Sequence, residues 1–86
     1  MELDAFSSFL VIAEELHFGH AAERLGMTPS SLTRQIQGLE RAIGSQLLKH
    51  TSRTVRLTPA GRVLATTGPF VVSTIEQLVA DMRSVR

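Results

Sequence analysis

Hydroxyl, amide and guanidinium groups recur on one side of the segment 28–43. At 100° per residue along a helix, they fall on a single stripe. The stripe consists of Ser30, Arg34, Gln37 and Arg41, with Ser31 and Thr33 on its flanks and no acidic residue before Glu40. An arginine there can donate two parallel hydrogen bonds to guanine O6 and N7 or clamp a phosphate, and short hydroxyl side chains allow close approach. We therefore expect this stripe to enter DNA.

Each of these side chains also has an ordinary structural explanation. Arg34 could be a surface charge paired with Glu40 or another nearby acid, and the three short hydroxyl side chains could reflect first-turn helix preferences. Pro29 could touch a thymine methyl group or simply occupy the first helical position, where its missing N–H costs nothing. A winged-helix module that binds protein through this face is the competing function, although the lack of acids favours DNA.

The opposite side of the segment is apolar, so the segment should be an amphipathic helix. Its apolar residues recur at steps of 4, 3 and 4, the spacing of one buried helical face. They are Leu32, Ile36, Leu39 and Ile43. Thr28 is a suitable N-cap before Pro29. The sequence thus predicts a helix over 29–43.

Two earlier helices should support this one. Residues 2–16 form a helix so broadly apolar that it should serve both the core and a second contact, plausibly another subunit. A shorter helix is predicted from His20 to Leu25, with Gly19 as its entry and Gly26 as its left-handed end. A short turn containing glycine then leads into the helix 29–43, which is the sequence form of a helix-turn-helix.

A two-stranded wing should follow. The segments Gln46–His50 and Thr54–Leu57 can form strands, separated by residues 51–53. Arg53 would then lie at the tip, where it could reach the DNA backbone or minor groove. Lys49 and Arg56 are weaker candidates for contacts to DNA.

Thr58 and Pro59 repeat the cap-then-proline signal and open a last helix. Its apolar residues keep the alternating steps of a heptad seam. They are Leu64, Gly68, Val71, Ile75, Leu78, Met82 and Val85. The seam is too long for so small a domain to cover, so we favour pairing with a second copy over packing on the same chain. Pro69 and Gly68 predict a kink or break near 65–69.

Composition limits the remaining possibilities. The 86 residues make one small domain without cysteine. Net charge is −4 over residues 1–28, +5 over 29–62 and zero over 63–86, which indicates a basic middle facing an anionic partner. His17, His20 and His50 lack metal-ligand spacing, and no serine has the partners of a catalytic triad. We expect no enzyme activity, cofactor or metal. No apolar run approaches the roughly 20 residues of a membrane span, so we expect a cytoplasmic protein without membrane contact.

The run from Phe18 to Gly61 resembles the N-terminal winged helix-turn-helix of the LysR-type transcriptional regulators. The resemblance rests on AAERL at 21–25, LTRQI at 32–36, LE at 39–40, LL at 47–48, Arg53 and LTPAG at 57–61. It implies a mainly α fold with a DNA-binding domain at 1–58, a linker helix at 59–86 that forms dimers, and a C-terminal effector-binding domain absent from this chain. It also implies a bacterial regulator, tetrameric at full length, whose two recognition helices read an interrupted palindrome.

Three departures from the family pattern change what the resemblance implies. Thr28 and Pro29 stand where the family usually has Ser-Gln, so base reading should shift to the polar residues that follow. His50 replaces a common arginine of the wing, and Pro69 is unusual in the linker helix. The residues expected to bind DNA are Thr28, Pro29, Ser30, Ser31, Thr33, Arg34, Gln37, Lys49, Arg53 and Arg56. The residues expected to form the dimer are Leu64, Val71, Ile75, Leu78, Met82 and Val85.

Overall fold

The computed structural model describes residues 3–50 and 55–86, which form four helices and a two-stranded antiparallel sheet. The elements in chain order are α1 (Leu3–Glu15), α2 (Phe18–Leu25), α3 (Pro29–Ile43), β1 (Leu48–His50), β2 (Val55–Leu57) and α4 (Pro59–Ser84). The expected mainly α, winged helix-turn-helix architecture is confirmed. The molecule is 51 Å long and 26 by 20 Å across, because α4 extends well beyond the other elements.

Threonine followed by proline begins both α3 and α4. The Oγ1 atom of Thr28 accepts a hydrogen bond from the N–H of Ser31 at 3.1 Å, and the Oγ1 atom of Thr58 accepts one from the N–H of Gly61 at 3.0 Å. Each bond satisfies a backbone donor that has no partner within its own helix. The helix starts read from the sequence are therefore confirmed.

The start of α2 lies two residues before the predicted one, and Gly19 is not its entry. His17 caps the helix, since its Nδ1 atom accepts a hydrogen bond from the N–H of His20 at 3.1 Å. The two imidazole rings stack with their centroids 4.0 Å apart. A neutral imidazole nitrogen can accept a backbone N–H as an asparagine oxygen does. The predicted end is correct, because Gly26 adopts the left-handed conformation with φ 64°.

The core lies where α1, α2 and α3 meet the start of the wing. Its largest fully buried side chains are Phe9, Ile12, Leu32 and Leu47. The apolar stripe predicted on α3 is buried at Leu32, Ile36 and Leu39, but Ile43 is 40% exposed. Ile43 is the last residue of the helix, so it extends past the core. The stripe therefore ends one position earlier than its spacing suggested.

The first wing strand is shorter than predicted, and the second is described from Val55 to Leu57. They pair Leu48 with Leu57, Lys49 with Arg56 and His50 with Val55. Gln46 and Leu47 precede the sheet. The N–H of Leu47 donates to the carboxylate of Glu40 in α3, the carbonyl of Leu47 accepts the N–H of Thr58, and the carbonyl of Gln46 accepts the Thr58 hydroxyl. The predicted turn 51–53, with the candidate Arg53, and Thr54 lie outside the described residues.

The predicted break in the last helix is wrong, because α4 is continuous through Pro69. Proline removes one hydrogen bond from a helix, and packing holds this turn in place. Gly68 is buried, and a Cβ atom placed there would lie 3.1 Å from both Leu10 Cδ2 of α1 and Leu64 Cδ1. The predicted kink, as distinct from a break, stays a prediction.

Candidate nucleic-acid interface

The polar stripe of α3 lies on the surface. Ser30, Arg34, Gln37 and Arg41 are exposed, and Ser31 and Thr33 on the flanks are half-buried. Thr28 and Pro29 at the start of the helix are exposed as well. The same helix buries its apolar side against α1 and α2. The fold thus presents a polar, positively charged helix face to solvent.

Glu40 does not neutralise this face. Its Oε2 atom accepts hydrogen bonds from the N–H of Leu47 at 2.7 Å and from the N–H of Leu48 at 3.2 Å. The acid therefore turns toward the wing. Arg34 instead donates from Nη2 to the Oγ atom of Ser31 at 3.5 Å. The alternative in which Arg34 pairs with Glu40 is wrong.

The wing carries two cations directly opposite each other. Lys49 and Arg56 are cross-strand partners, and both are exposed. Like charges at directly opposed positions repel and are destabilising, so the pair is better suited to a surface that meets an anion. The sequence could have revealed this pair only if the strand register had been known.

Two acidic side chains of α1 pair with an arginine of α2 and not with the cations of α3 or the wing. Arg24 of α2 forms salt bridges with Glu15 at 3.0 Å and Glu14 at 3.6 Å, both in α1. Arg24 is thus matched by acids, which ties α2 to the end of α1. The polar stripe of α3 itself carries no acidic residue, so its arginines keep their positive charge exposed.

An apolar groove lies on another side of the molecule, between α1, the end of α3 and α4. Its volume is about 740 Å³, and apolar side chains dominate its lining. They include Leu3, Phe6, Ile43, Val63, Leu64 and Val71. Leu64 at the start of the predicted seam is half-buried and Gly68 is buried. The groove is therefore continuous with the part of the seam that packs on the chain itself.

Beyond Gly68 the seam is exposed. The exposed fraction is 46% for Val71, 37% for Ile75, 54% for Leu78 and 58% for Met82. Val85 is 77% exposed and lies at the C-cap, just beyond the helix. As the composition suggested, the domain is too small to cover these side chains.

Comparison with known proteins identifies the family. The model of bacterial regulatory helix-turn-helix proteins of the lysR family matches residues 3–62. The chain belongs to this family. The HTH-type transcriptional regulator AlsR of Bacillus subtilis (strain 168) is 52% identical over 63 residues, which are 73% of this chain and 21% of AlsR. The probable cat1 operon transcriptional activator of Acinetobacter lwoffii is 40% identical over 85 residues, 99% of this chain and 28% of that protein.

Solved structures of lysR-type DNA-binding domains have the same fold. The BenM domain in complex with benA site 1 DNA superposes with a TM-score of 0.87 at 35% identity, and the match covers 100% of both chains. The CbnR domain in its DNA complex gives a TM-score of 0.89 at 28% identity, covering 98% of this chain and 97% of that one. The family and these relatives are transcriptional regulators rather than enzymes. This lysR-type chain is a helix-turn-helix DNA-binding domain.

Helix α4 is apolar in composition along much of its length. Among the described residues, this helix of 26 residues is long and apolar enough, by length and composition only, to cross a membrane. The expectation that no segment approaches a membrane span counted uninterrupted apolar runs, whereas a span tolerates a few polar residues. One such helix is weak evidence for a membrane.

Proposed function

We propose that α3 enters the major groove of duplex DNA with its N-terminal half, while the wing lies on the adjacent backbone or minor groove. The observation that carries this proposal is the exposed, acid-free stripe of α3, whose nearest acid bonds to the wing backbone. The BenM and CbnR domains, which share this fold, were both solved as DNA complexes. These likenesses support the same mode of docking here.

The residues of the stripe have different roles in this proposal. Arg34 and the short side chains Ser30, Ser31 and Thr33 contact base edges or phosphates near the start of α3, with Thr28 and Pro29 beside them. Gln37 lies one turn further along the helix. Lys49, Arg56 and Arg53 of the wing contact phosphates or the minor groove. With few long side chains at the start of α3, DNA shape should contribute a large share of the specificity.

A duplex titration tests this role. The probe is a duplex obtained by random-site selection with the wild-type chain, titrated over a range of salt concentrations. We expect the logarithm of affinity to fall linearly with the logarithm of salt concentration, by about 0.9 per phosphate contact. A flat dependence would contradict DNA binding and favour the alternative, a module that binds protein.

Arg34→Ala tests the recognition helix in the same assay. We expect it to weaken binding to the selected duplex by about 1–3 kcal/mol, the range for a bidentate base contact. Arg86→Ala is the matched control, because it removes the same charge from an exposed position beyond α4. If the two variants bind equally well, Arg34 is not a DNA contact.

We propose further that two copies pair through α4 and read two half-sites of an interrupted palindrome. The exposed seam from Val71 to Met82 and the apolar groove beside its start support this pairing. Burial of such surface is the main favourable term in protein association. The dimer would present two α3 helices at a fixed separation, so that each enters one major groove.

Two variants with the same new charge test the dimer. Ile75→Asp places a carboxylate in the seam, whereas Ser73→Asp places one on the exposed opposite side of α4. At micromolar concentration we expect sedimentation to give a dimer for wild type and for Ser73→Asp, and a monomer for Ile75→Asp. A dimeric Ile75→Asp chain would exclude this seam as the interface. Binding of wild type to lipid vesicles would favour the membrane alternative instead.

The chain spans 21% of AlsR and 28% of the cat1 regulator. We propose that the native protein acts in the cytoplasm, with residues 1–58 as the DNA-binding domain and 59–86 as the linker helix. A C-terminal domain would bind a small-molecule effector, and the full-length protein would assemble as a tetramer.

A further inference from the structure

Three side chains at the start of α3 form a continuous chain of hydrogen bonds. The hydroxyl of Thr28 donates to the Oγ atom of Ser31 at 3.0 Å, while its oxygen accepts the backbone N–H of Ser31 at 3.1 Å. Arg34 donates from Nη2 to the same Ser31 Oγ atom at 3.5 Å. Ser31 is therefore the centre of the chain, with one hydrogen-bond donor on each side.

These contacts fix the chemistry that Ser31 can offer to a ligand. A serine hydroxyl has two acceptor sites and one donor hydrogen. Thr28 and Arg34 occupy both acceptor sites of Ser31. In this arrangement the hydroxyl hydrogen is the group that Ser31 has left for a ligand, so the residue is arranged to donate one hydrogen bond outward. Ser30 differs, because its hydroxyl has no hydrogen bond within the part of the chain that the structure describes and is free to do either.

We propose that Ser31 acts as a hydrogen-bond donor that recognises an acceptor on DNA and holds Arg34 in position. This inference rests on the proposed entry of α3 into the major groove. There the acceptors are guanine O6 and N7, adenine N7 and thymine O4, whereas cytosine presents the N4 amino donor. A Ser31 that faces a base edge thus discriminates against cytosine at one position of the site. A Ser31 that faces the backbone donates to a phosphate oxygen, which is the same acceptor chemistry.

The second part of the inference concerns Arg34. Its side chain is exposed, so without an anchor the guanidinium would sample many rotamers and lose entropy on binding. The bond to Ser31 restricts these rotamers and uses one of the five guanidinium N–H groups, which leaves four for DNA. Because Ser31 acts partly through Arg34, the effects of removing the two side chains should not be independent.

Random-site selection with wild type, Ser31→Ala, Ser31→Thr and Ser30→Ala tests the donor role. The probe is a duplex library with a randomised core. If Ser31 faces a base, we expect wild type and Ser31→Thr to exclude cytosine at one position and Ser31→Ala to accept it there. If Ser31 faces a phosphate, Ser31→Ala should keep the wild-type sequence preference and bind every duplex about 10- to 150-fold more weakly, the effect of one lost hydrogen bond to a charged group. Ser30→Ala is the comparison, because it removes a neighbouring hydroxyl that forms no hydrogen bond with Arg34 or any other residue the structure describes.

A double-mutant cycle tests the positioning role. The combined loss in Ser31→Ala/Arg34→Ala should be at least threefold smaller than the product of the two single losses, whereas Ser30→Ala/Arg34→Ala should equal its product. If Ser31→Ala and Ser30→Ala have similar thermal midpoints, the difference between their effects on DNA binding does not come from a loss of folding.

Two results would overturn the inference. The first is a wild-type chain that binds the selected duplex while Ser31→Ala binds it equally well with the same preference. The second is a wild-type preference for cytosine at the position that changes in Ser31→Ala. Failure of wild type to bind any duplex is a different result, and it refutes the proposed function.

Discussion

Replacing Gly61 with alanine should separate α4 from the wing. A Cβ atom built on Gly61 would overlap the carbonyl oxygen of Leu47 and lie 3.1 Å from its carbonyl carbon. Neither atom belongs to a flexible side chain. The same carbonyl accepts the N–H of Thr58 at 3.0 Å, and the N–H of Gly61 is bonded to Thr58 Oγ1. The overlap can therefore be relieved only by moving the first turn of α4 away from the wing.

The size of the effect follows from two opposing terms. Overpacking a tight contact costs about 1–3 kcal/mol and occasionally more. Alanine is favoured over glycine within a helix by about 0.8–1.0 kcal/mol, and less of this gain is available in a first turn. We expect Gly61→Ala to lower the free energy of unfolding by about 1–2 kcal/mol. For a domain of this size, each kcal/mol shifts the thermal midpoint by about 4–8 °C.

Gly38→Ala is the matched control. It makes the same substitution within a helix, but the added Cβ atom would meet only Arg41 Nη2, at an ordinary 3.9 Å. We expect it to raise the thermal midpoint by several degrees, through the propensity gain of about 1 kcal/mol. Thermal unfolding followed by circular dichroism at one protein concentration compares the three chains. A Gly61→Ala midpoint at or above that of wild type would refute the close contact between α4 and Leu47.

Two further substitutions test contacts that position the recognition helix. Glu40→Ala removes the acceptor of the Leu47 and Leu48 N–H groups, so we expect denaturant unfolding to show a loss of about 1–3 kcal/mol. Glu40→Gln keeps one acceptor oxygen and should lose less; a loss equal to that of Glu40→Ala would contradict the explanation by hydrogen-bond acceptance. His17→Ala removes the cap of α2 and should cost about 0.5–2 kcal/mol in thermal unfolding, whereas His17→Asn should cost little. A His17→Ala chain as stable as wild type would show that the cap contributes nothing.

Features set by short-range patterns were readable from the sequence. The two Thr-Pro starts, the glycine end of α2 and the buried stripe of α3 each depend on residues within one or two turns. The position of the polar stripe follows from the same periodicity. These features were sufficient to predict the fold class and the exposed polar face of α3 that we propose enters DNA.

Features that depend on contacts between distant residues were not readable. The continuity of α4 through Pro69 depends on packing between Gly68 and Leu10 of α1. The sequence pattern places Glu40 on the surface. Its hydrogen bonds to the N–H groups of Leu47 and Leu48 depend on how α3 packs against the wing, which no local pattern predicts. His17 is an uncommon cap, so its local signal was weak. The pairing of Lys49 with Arg56 needs the register of a hairpin whose turn has no strong signal.

The exposed apolar side of α4 is the surface through which we propose that two copies pair. If that surface is covered by a second copy, folding and association are coupled, and the thermal midpoint rises with protein concentration. At low copy number, a larger share of chains would be monomeric and would expose Val71, Leu78 and Met82 to proteases and unrelated proteins. Occupancy of a two-half-site operator would then fall with the square of the monomer concentration. A cell could thus tune such a regulator steeply through the amount that it synthesises.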